Sequence, residues 1–561
     1  MWRWIAGPVL LIVYVVISST ARGQQICERP ASGSVIENPR SFRSSKGVLD
    51  LTLTLKNELT ADGQVRYCYL AEDGSESPTL RVQPGDLLVV RLKNDLRQLR
   101  GPGAGHHHTP TPTKTDDCSM GQMTEISTNL HFHGMAVPPV CHQDDVLKTV
   151  IEPSAKAFEF RIRIPADQPP GLYWYHPHIH GFSNLQALGG ASGAIVVEGI
   201  ERAVNEVAGM RERVLVIRDQ DLIHPNAPVP VAQKPQVDRD GDVLNSGTGG
   251  GKPAKDLSVN FVPVPYPDYP PGVIHMKPGE RQLWRVVNAC ALTYLDLRVI
   301  VNRQAEMLKI VAFDGVPVNH NGDPNIVVIR SRLLVPPAGR VEFIVSAPPD
   351  GASARFVTRA VNTGPGGEND PYRTLANVVL SSDLADQLDA LPSSPKPLPP
   401  GSVPWLGDVT PVRTRKLYFS EQVKDPQDPN SPTMFYITID GQKPVPYDPH
   451  SSAPNIVVQQ GDVEDWIIEN RSNELHAFHI HQTHFVHTES LGIPVKDPFL
   501  RDTIDVPFYD GKSAKYPSVT LRMDFRDPNI IGTFPYHCHL LEHEDNGMMG
   551  LIRVEPRRTK K

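Results

Sequence analysis

Gln460-Gly461-Asp462-Val463-Glu464-Asp465-Trp466-Ile467-Ile468-Glu469-Asn470 is a tight turn that runs into a strand. Glycine followed by an acid suits the turn, and the mixed polar and apolar run behind it has the period-two character of a half-buried strand. The device occurs twice more. Pro84-Gly85-Asp86 leads through Leu87-Leu88-Val89-Val90-Arg91-Leu92 to Asn94, and Pro278-Gly279-Glu280 leads to Asn288. Gly to Asn is nine residues in every copy, and the copies lie 194 and 182 residues apart. A turn-plus-strand repeated at domain spacing predicts three related β-sandwich domains in an all-β chain. The 561 residues hold about three or four domains, and 55 Pro and 42 Gly with few long helical patterns favour short strands and turns.

Working outward, domain 1 is expected to end near Ala194–Glu198. Domain 2 should run from near Arg213–Ile217 to near Val378–Leu380, and domain 3 should start by Leu417. The expected organisation is a signal peptide at 1–23, domains over 24–202, 210–385 and 413–561, and a Pro-rich linker over 386–412. Met1-Trp2-Arg3-Trp4, the apolar run Ile5 to Ile17 and the small residues up to Gly23 make a secretory signal, with cleavage before Gln24. The run is short for a membrane span, and no twin-arginine pair is present. A secreted or periplasmic protein with no membrane attachment after cleavage is expected. In that oxidising setting Cys27, Cys68, Cys118 and Cys141 can form two disulfides. Spacing does not fix their connectivity; Cys27–Cys68 with Cys118–Cys141 closes the shorter loops and is preferred. Cys290 reads as a free core thiol. A formal net charge of −7 gives no basic nucleic-acid footprint. The His106-His107-His108 stretch reads as a surface loop and the Gly-rich stretch 241–255 as a disordered loop.

The chemistry is carried by Tyr536-His537-Cys538-His539-Leu540-Leu541-Glu542-His543-Glu544-Asp545-Asn546-Gly547-Met548. Successive strand side chains face opposite ways. His537 and His539 then share one face and Cys538 takes the other, so one strand can feed two metal sites. His543 follows Cys538 by five residues and Met548 by ten. Cysteine, two histidines and a weak axial methionine form the donor set of a blue-copper electron-transfer site. Three further His-x-His pairs, His131/His133, His176/His178 and His479/His481, bring the paired imidazoles to eight. His476, three residues before His479, would face away from that pair and is the natural second histidine for the cysteine's copper. All four pairs fall in domains 1 and 3, so the imidazoles are expected to meet where those domains touch.

With these motifs in place, the chain resembles the multicopper oxidases over nearly its whole mature length. The matching segments are His131-Phe132-His133-Gly134, Trp174-Tyr175-His176-Pro177-His178, His476-Ala477-Phe478-His479-Ile480-His481 and the 537–548 stretch. The resemblance implies three cupredoxin-like Greek-key domains and four copper ions. It places a type 1 copper on His476, Cys538, His543 and axial Met548, and a type 2 copper on His131 and His479. A type 3 pair falls to His133, His176, His178, His481, His537 and His539. His180 departs from the pattern and reads as a bystander.

The implied activity is oxidation of a small reductant at type 1 copper, coupled to four-electron reduction of dioxygen to water. Type 1 copper would pass its electrons on through Cys538. Protons need carboxylates: Glu544 stands where similar bacterial enzymes carry a relay glutamate, and either Asp144 or Asp145 follows the first histidine pair. A laccase-like oxidase of phenols or aromatic amines is the leading reading. A cuprous-ion oxidase serving copper tolerance is the second. Only Met434 lies between Leu417 and Gln460, so no methionine-rich lid is expected, and an edge of His476 or His543 should lie open to an aromatic ring. A non-catalytic cell-envelope or copper-storage role is opposed by the complete ligand set. No oligomer is needed to complete the site.

Overall fold

The three copies of the turn-plus-strand fold alike. Gly85, Gly279 and Gly461 all have positive φ, at 88°, 71° and 100°. Each turn is closed by the following acid: Gln83 N donates to Asp86 Oδ2, Lys277 N to Glu280 Oε2 and Gln459 N to Asp462 Oδ2. At the far end of each strand the asparagine is buried and bonds in one pattern. Its Nδ2 donates to two carbonyls, Ile126 and Ile151 from Asn94, Thr293 and Val335 from Asn288, Glu474 and Val506 from Asn470. Its Oδ1 accepts the amide two residues on, from Leu96, Cys290 or Ser472. A side chain with two donors and a two-lone-pair oxygen satisfies three buried backbone groups that the strand end would otherwise strand.

The structure is a computed structural model that describes residues 26–60, 63–99, 117–228, 251–323, 326–381, 388–394, 403–425, 431–451 and 453–557, with 236–237, 243–244 and 427. The expected signal peptide and the His106–His108 loop lie outside the described residues, as does most of the Gly-rich loop. Three pairs of sheets follow one another along the chain. In the first pair a five-stranded sheet runs in the order Ser41–Arg43, Thr79–Val82, Gly193–Val197, Gly171–His176, His131–His133. It faces a sheet of Val65–Ala71, Val48–Leu59, Leu87–Asp95 and Phe158–Arg163. The second pair has eight and six strands. The third sets a seven-stranded sheet against Ile456–Gln459, Met549–Glu555, Gly532–Cys538, His476–Ile480 and Thr503–Val506. Each pair encloses its own apolar core. The expected all-β, three-sandwich cupredoxin-like architecture is what the chain forms.

The sandwiches are packed together. Leu172, Trp174, Ala194 and Val196 of the first meet Val214, Val216, Val287 and Ala289 of the second. The strands Gly171–His176 and Gly193–Val197 are therefore buried on both faces, which accounts for their unbroken apolar runs. In the expected linker the described residues are also anchored: Asp389 O and Met210 O accept from Glu212 N and Leu391 N, and Leu391 and Leu406 are buried. The preferred disulfides both form, Cys27–Cys68 and Cys118–Cys141, and Cys290 is a buried free thiol.

Candidate metal centres

Two ladders of the first and third sandwiches carry the histidines in matching register. His131 lies opposite His176 across the first, and His479 lies opposite His537 across the second. The sandwiches meet along these strands, and the eight imidazoles converge between them. Their ring nitrogens form overlapping sets whose members lie within 4.8 Å of one another: His131, His133 and His479; His133, His176 and His539; His178, His481 and His537.

The strand expectation needs one correction. His131 and His133 share a strand, but His178, His481 and His539 lie past the ends of theirs. Pro177 has no N–H with which to extend a ladder. His178 is instead pinned by Asn129, whose Oδ1 accepts from its amide at 2.7 Å and whose Nδ2 donates to its carbonyl at 3.0 Å.

Five of the rings are oriented from behind. The Asp144 carboxylate lies 3.0 Å from His131 Nδ1 and also accepts from Phe132 N and Gln482 Nε2. Asp145 accepts the Lys148 amide instead, so of the two candidates Asp144 is the one that touches the cluster. Glu544 stands between two imidazoles, 3.5 Å from His178 Nδ1 and 3.3 Å from His537 Nδ1, and lies 3.4 Å from Ser183 Oγ. Asp502 Oδ1 is 3.3 Å from His133 Nε2, and the Asp502 carbonyl accepts from His479 Nδ1 at 2.8 Å. Asp502 carries no sequence signal of its own; it acts from the bend between the strands Leu500–Arg501 and Thr503–Val506, far along the chain.

Facing inward, Nε2 of His131, His176 and His479 and Nδ1 of His133 are buried with no hydrogen-bond partner. Each such orphan costs on the order of 1–3 kcal/mol in an apolar interior, and a cation in their midst would remove the cost. Burial, reinforced by neighbouring imidazoles, pushes His133, His176, His178, His479, His481 and His539 well below the ordinary 6.5, and brings His537 to about 3. Neutral rings with inward lone pairs are metal ligands in waiting. His180 stands apart, edge-on to the Tyr447 ring at 4.9 Å, and burial lowers it to about 4.

A second centre lies within the third sandwich. Cys538 Sγ is 3.5 Å from His476 Nδ1 and 3.9 Å from His543 Nδ1. The tautomer of His476 follows from its surroundings. The Ser472 hydroxyl gives its hydrogen to Asn470 Oδ1, so it can only accept from His476 Nε2, at 2.8 Å, which leaves the Nδ1 lone pair toward the sulfur. Burial pushes the Cys538 thiol up; a thiolate there calls for a cation. Met548 is fully buried in the same apolar core as Cys538, tied by Cys538 N to Met548 O and Met548 N to His543 O. One turn of helix, Leu541–Asp545, serves three places, because consecutive helical side chains point about 100° apart. His543 faces Cys538, Glu544 faces the eight-histidine cluster, and Asp545 accepts from Gly181, Ser183 and Asn184 amides of the first sandwich.

The expected open edge is absent. His476 Nε2 is covered by Ser472 and by Glu421 at 3.0 Å, the Phe435 ring stacks on His543 at 4.1 Å, and His543 Nε2 lies 3.5 Å from Glu474. Behind Glu421 and Ser472 a cleft of about 430 Å³ opens, walled by Arg471, Tyr509 and, from the second sandwich, Pro365.

Two family models, both described as multicopper oxidase, match residues 426–558 and 121–202. "Multicopper oxidase mco" of Staphylococcus aureus is 23% identical over 486 residues, spanning 85% of this chain and 81% of the relative. The fold matches the solved "Multicopper oxidase from Campylobacter jejuni: a metallo-oxidase" with a TM-score of 0.63 and 23% identity, covering 94% of this chain and 96% of that one. It also matches a "laccase-like multi-copper oxidase" from Ochrobactrum sp., described as active towards lignin model compounds. That match has a TM-score of 0.60 and 20% identity over 92% of this chain and all of that one.

Proposed function

We infer the activity of this chain from its membership of the multicopper oxidase family, which makes it a copper-dependent oxidase with dioxygen as acceptor. The proposed reaction is one-electron oxidation of phenolic or aromatic reductants, coupled to reduction of dioxygen to water. Four reductant molecules give four electrons and four protons, and one dioxygen takes both to yield two waters. We assign one copper to His476, Cys538, His543 and Met548, and three to the eight imidazoles. When bound, the copper at Cys538 supplies a one-electron acceptor, and the other three supply the multielectron reduction.

The observation that carries this reading is the Gly532–Cys538 strand and the residue after it. Cys538 lies against His476 and His543, while His537 and His539 on either side of it reach the other cluster. Two peptide units thus connect the two centres.

The remaining roles fall to the chain's own groups. The cleft at Glu421 and Ser472 brings a planar ring to within one residue of His476, and the Glu421 carboxylate can accept the phenolic proton. Glu544 and Asp144, each touching cluster imidazoles, are placed to hand protons inward. The Cys27–Cys68 and Cys118–Cys141 bonds fit an oxidising compartment, so we place the protein in the periplasm or outside the cell. Among the described residues no helix is long and apolar enough to cross a membrane.

One observation favours a second reading, oxidation of Cu(I). Glu474 is pushed up to about 9, first by burial and then by Glu421, Glu368, Glu542 and Asp370, and such a group of crowded carboxyls beside His543 would give up its proton to a bound cation. Steady-state kinetics under air with a simple phenol and with Cu(I) separate the two. A higher specificity constant for the phenol is expected. A higher one for Cu(I), lost in Glu421→Gln and Glu474→Gln, selects the metal-ion oxidase.

A further inference from the structure

We propose that Arg340, a residue of the second sandwich, is a positioning residue for the eight-imidazole cluster: it fixes the Asp502 carboxylate that orients His133 and His479. The proposal rests on those imidazoles binding copper.

All five guanidinium N–H groups of Arg340 have acceptors. Nη1 donates to Asp502 Oδ1 at 2.7 Å and Nη2 to Asp502 Oδ2 at 2.5 Å, a two-pronged carboxylate clamp. The remaining bonds go to Ala338 O at 3.1 Å, Asp314 O at 2.9 Å and Leu172 O at 3.4 Å. One side chain therefore ties the first sandwich at Leu172, the second at Ala338 and Asp314, and the third at Asp502. Asp314 completes the frame by accepting from Arg340 N and Asp502 N.

What the clamp holds is the rear of two adjacent cluster rings. His133 places its Nε2 on Asp502 Oδ1 and His479 its Nδ1 on the Asp502 carbonyl. If those nitrogens carry the protons, the orphaned His133 Nδ1 and His479 Nε2 present lone pairs inward. The clamp also accounts for the glycine after His133. Gly134 has φ 85°, and a Cβ there would lie 2.4 Å from Arg340 Nη2 and 2.7 Å from Asp502 Oδ2. Lysine cannot replace the arrangement, since its ammonium is a point donor without the planar fork.

The test compares wild type, Arg340→Lys and Asp502→Asn with a control, Arg285→Lys. Arg285 forms the buried pair with Glu212 and Glu342 of the second sandwich and is bonded to no histidine. Each protein is stripped, reloaded with Cu(II) and exposed to a chelator. Blue absorption, the electron paramagnetic resonance signal of non-blue copper, total copper and the melting temperature of the metal-free protein are then recorded. Expected is retention of the blue band with at least about tenfold weaker retention of the non-blue copper in both Arg340→Lys and Asp502→Asn. The Arg285→Lys control should melt earlier yet keep its copper. Non-blue copper held as in wild type by both cluster variants overturns the proposal. So does equal copper loss in the control, which would make the effect one of general stability. A wild type that binds only the blue copper would defeat the copper assignment itself, and the proposal with it.

Discussion

At the scale of single residues, the proposed function gives Cys538 two jobs, metal ligand and electron path, that one substitution separates from the rest of the fold. Serine fills nearly the same buried space but offers no thiolate. Cys538→Ser is expected to remove the blue absorption and the oxidase activity together; a colourless variant with full activity would sink the assignment. Glu544 touches His178 and His537 and is fully buried, whereas the proposed reductant cleft lies at Glu421 and Ser472. Glu544→Gln should therefore slow reoxidation by dioxygen by at least about tenfold while reduction by substrate stays fast. Stopped-flow absorbance, following the two half-reactions separately, checks this, and unchanged reoxidation removes Glu544 from the proton path. Met548→Leu should raise the potential of the blue centre, because loss of a sulfur donor weakens the oxidised metal. If redox titration shows no rise, Met548 is not axial, and Met549, the residue paired with His537, becomes the one to examine.

At the scale of elements, the turn-plus-strand copies were readable because their spacing is set locally. A positive-φ glycine, an acid that closes the turn and a strand of fixed length leave little freedom. The grouping of the proposed copper ligands was readable for a similar reason, since alternation along a strand sorts Cys538 from its neighbours. What escaped the sequence was whatever depends on distant partners. Nothing near Asn129 foretells that it will pin His178, and nothing near Asp502 foretells its hold on His133. The closed edge over His543 arises because Phe435 comes from another strand. The repeat asparagine gives a test away from copper. Asn288→Ala strands the carbonyls of Thr293 and Val335 and the Cys290 amide. A loss of about 3 kcal/mol is expected from a few buried groups left unpaired, with blue absorption unchanged. Denaturant titration of the metal-free protein measures it, and a loss below about 0.5 kcal/mol would show that the asparagine is dispensable.

At the scale of the molecule, the first and third sandwiches are docked partly by Asp545. Burial raises this carboxyl to about 7 from the ordinary 3.8, although the amides of Asn184, Ser183 and Gly181 pull it down. A carboxyl raised on folding binds its proton more tightly in the folded state. Its contribution is complete below about 4 and is lost as pH rises through about 7. The buried imidazoles, held below 6.5, pull melting temperature the other way as pH rises, so the Asp545 contribution is read as a difference: metal-free Asp545→Asn should gain melting temperature on wild type over that window. Melting curves of both proteins across pH decide; a difference that stays constant with pH would show that Asp545 does not carry this dependence.

The two centres also differ in when they can exist. The proposed ligands of the blue centre, His476 to Met548, all belong to one sandwich, so that pocket is complete once the third sandwich has folded. The other cluster joins His131 to His539, residues 408 positions apart, and has no meaning until two separately folded bodies have docked. Contacts of such separation form late. On the proposed assignment maturation would have a built-in order: the electron entry port would be ready for its metal first, and the centre that reacts with dioxygen would close last. A half-assembled chain would then take up one copper, yet would have no place to activate oxygen.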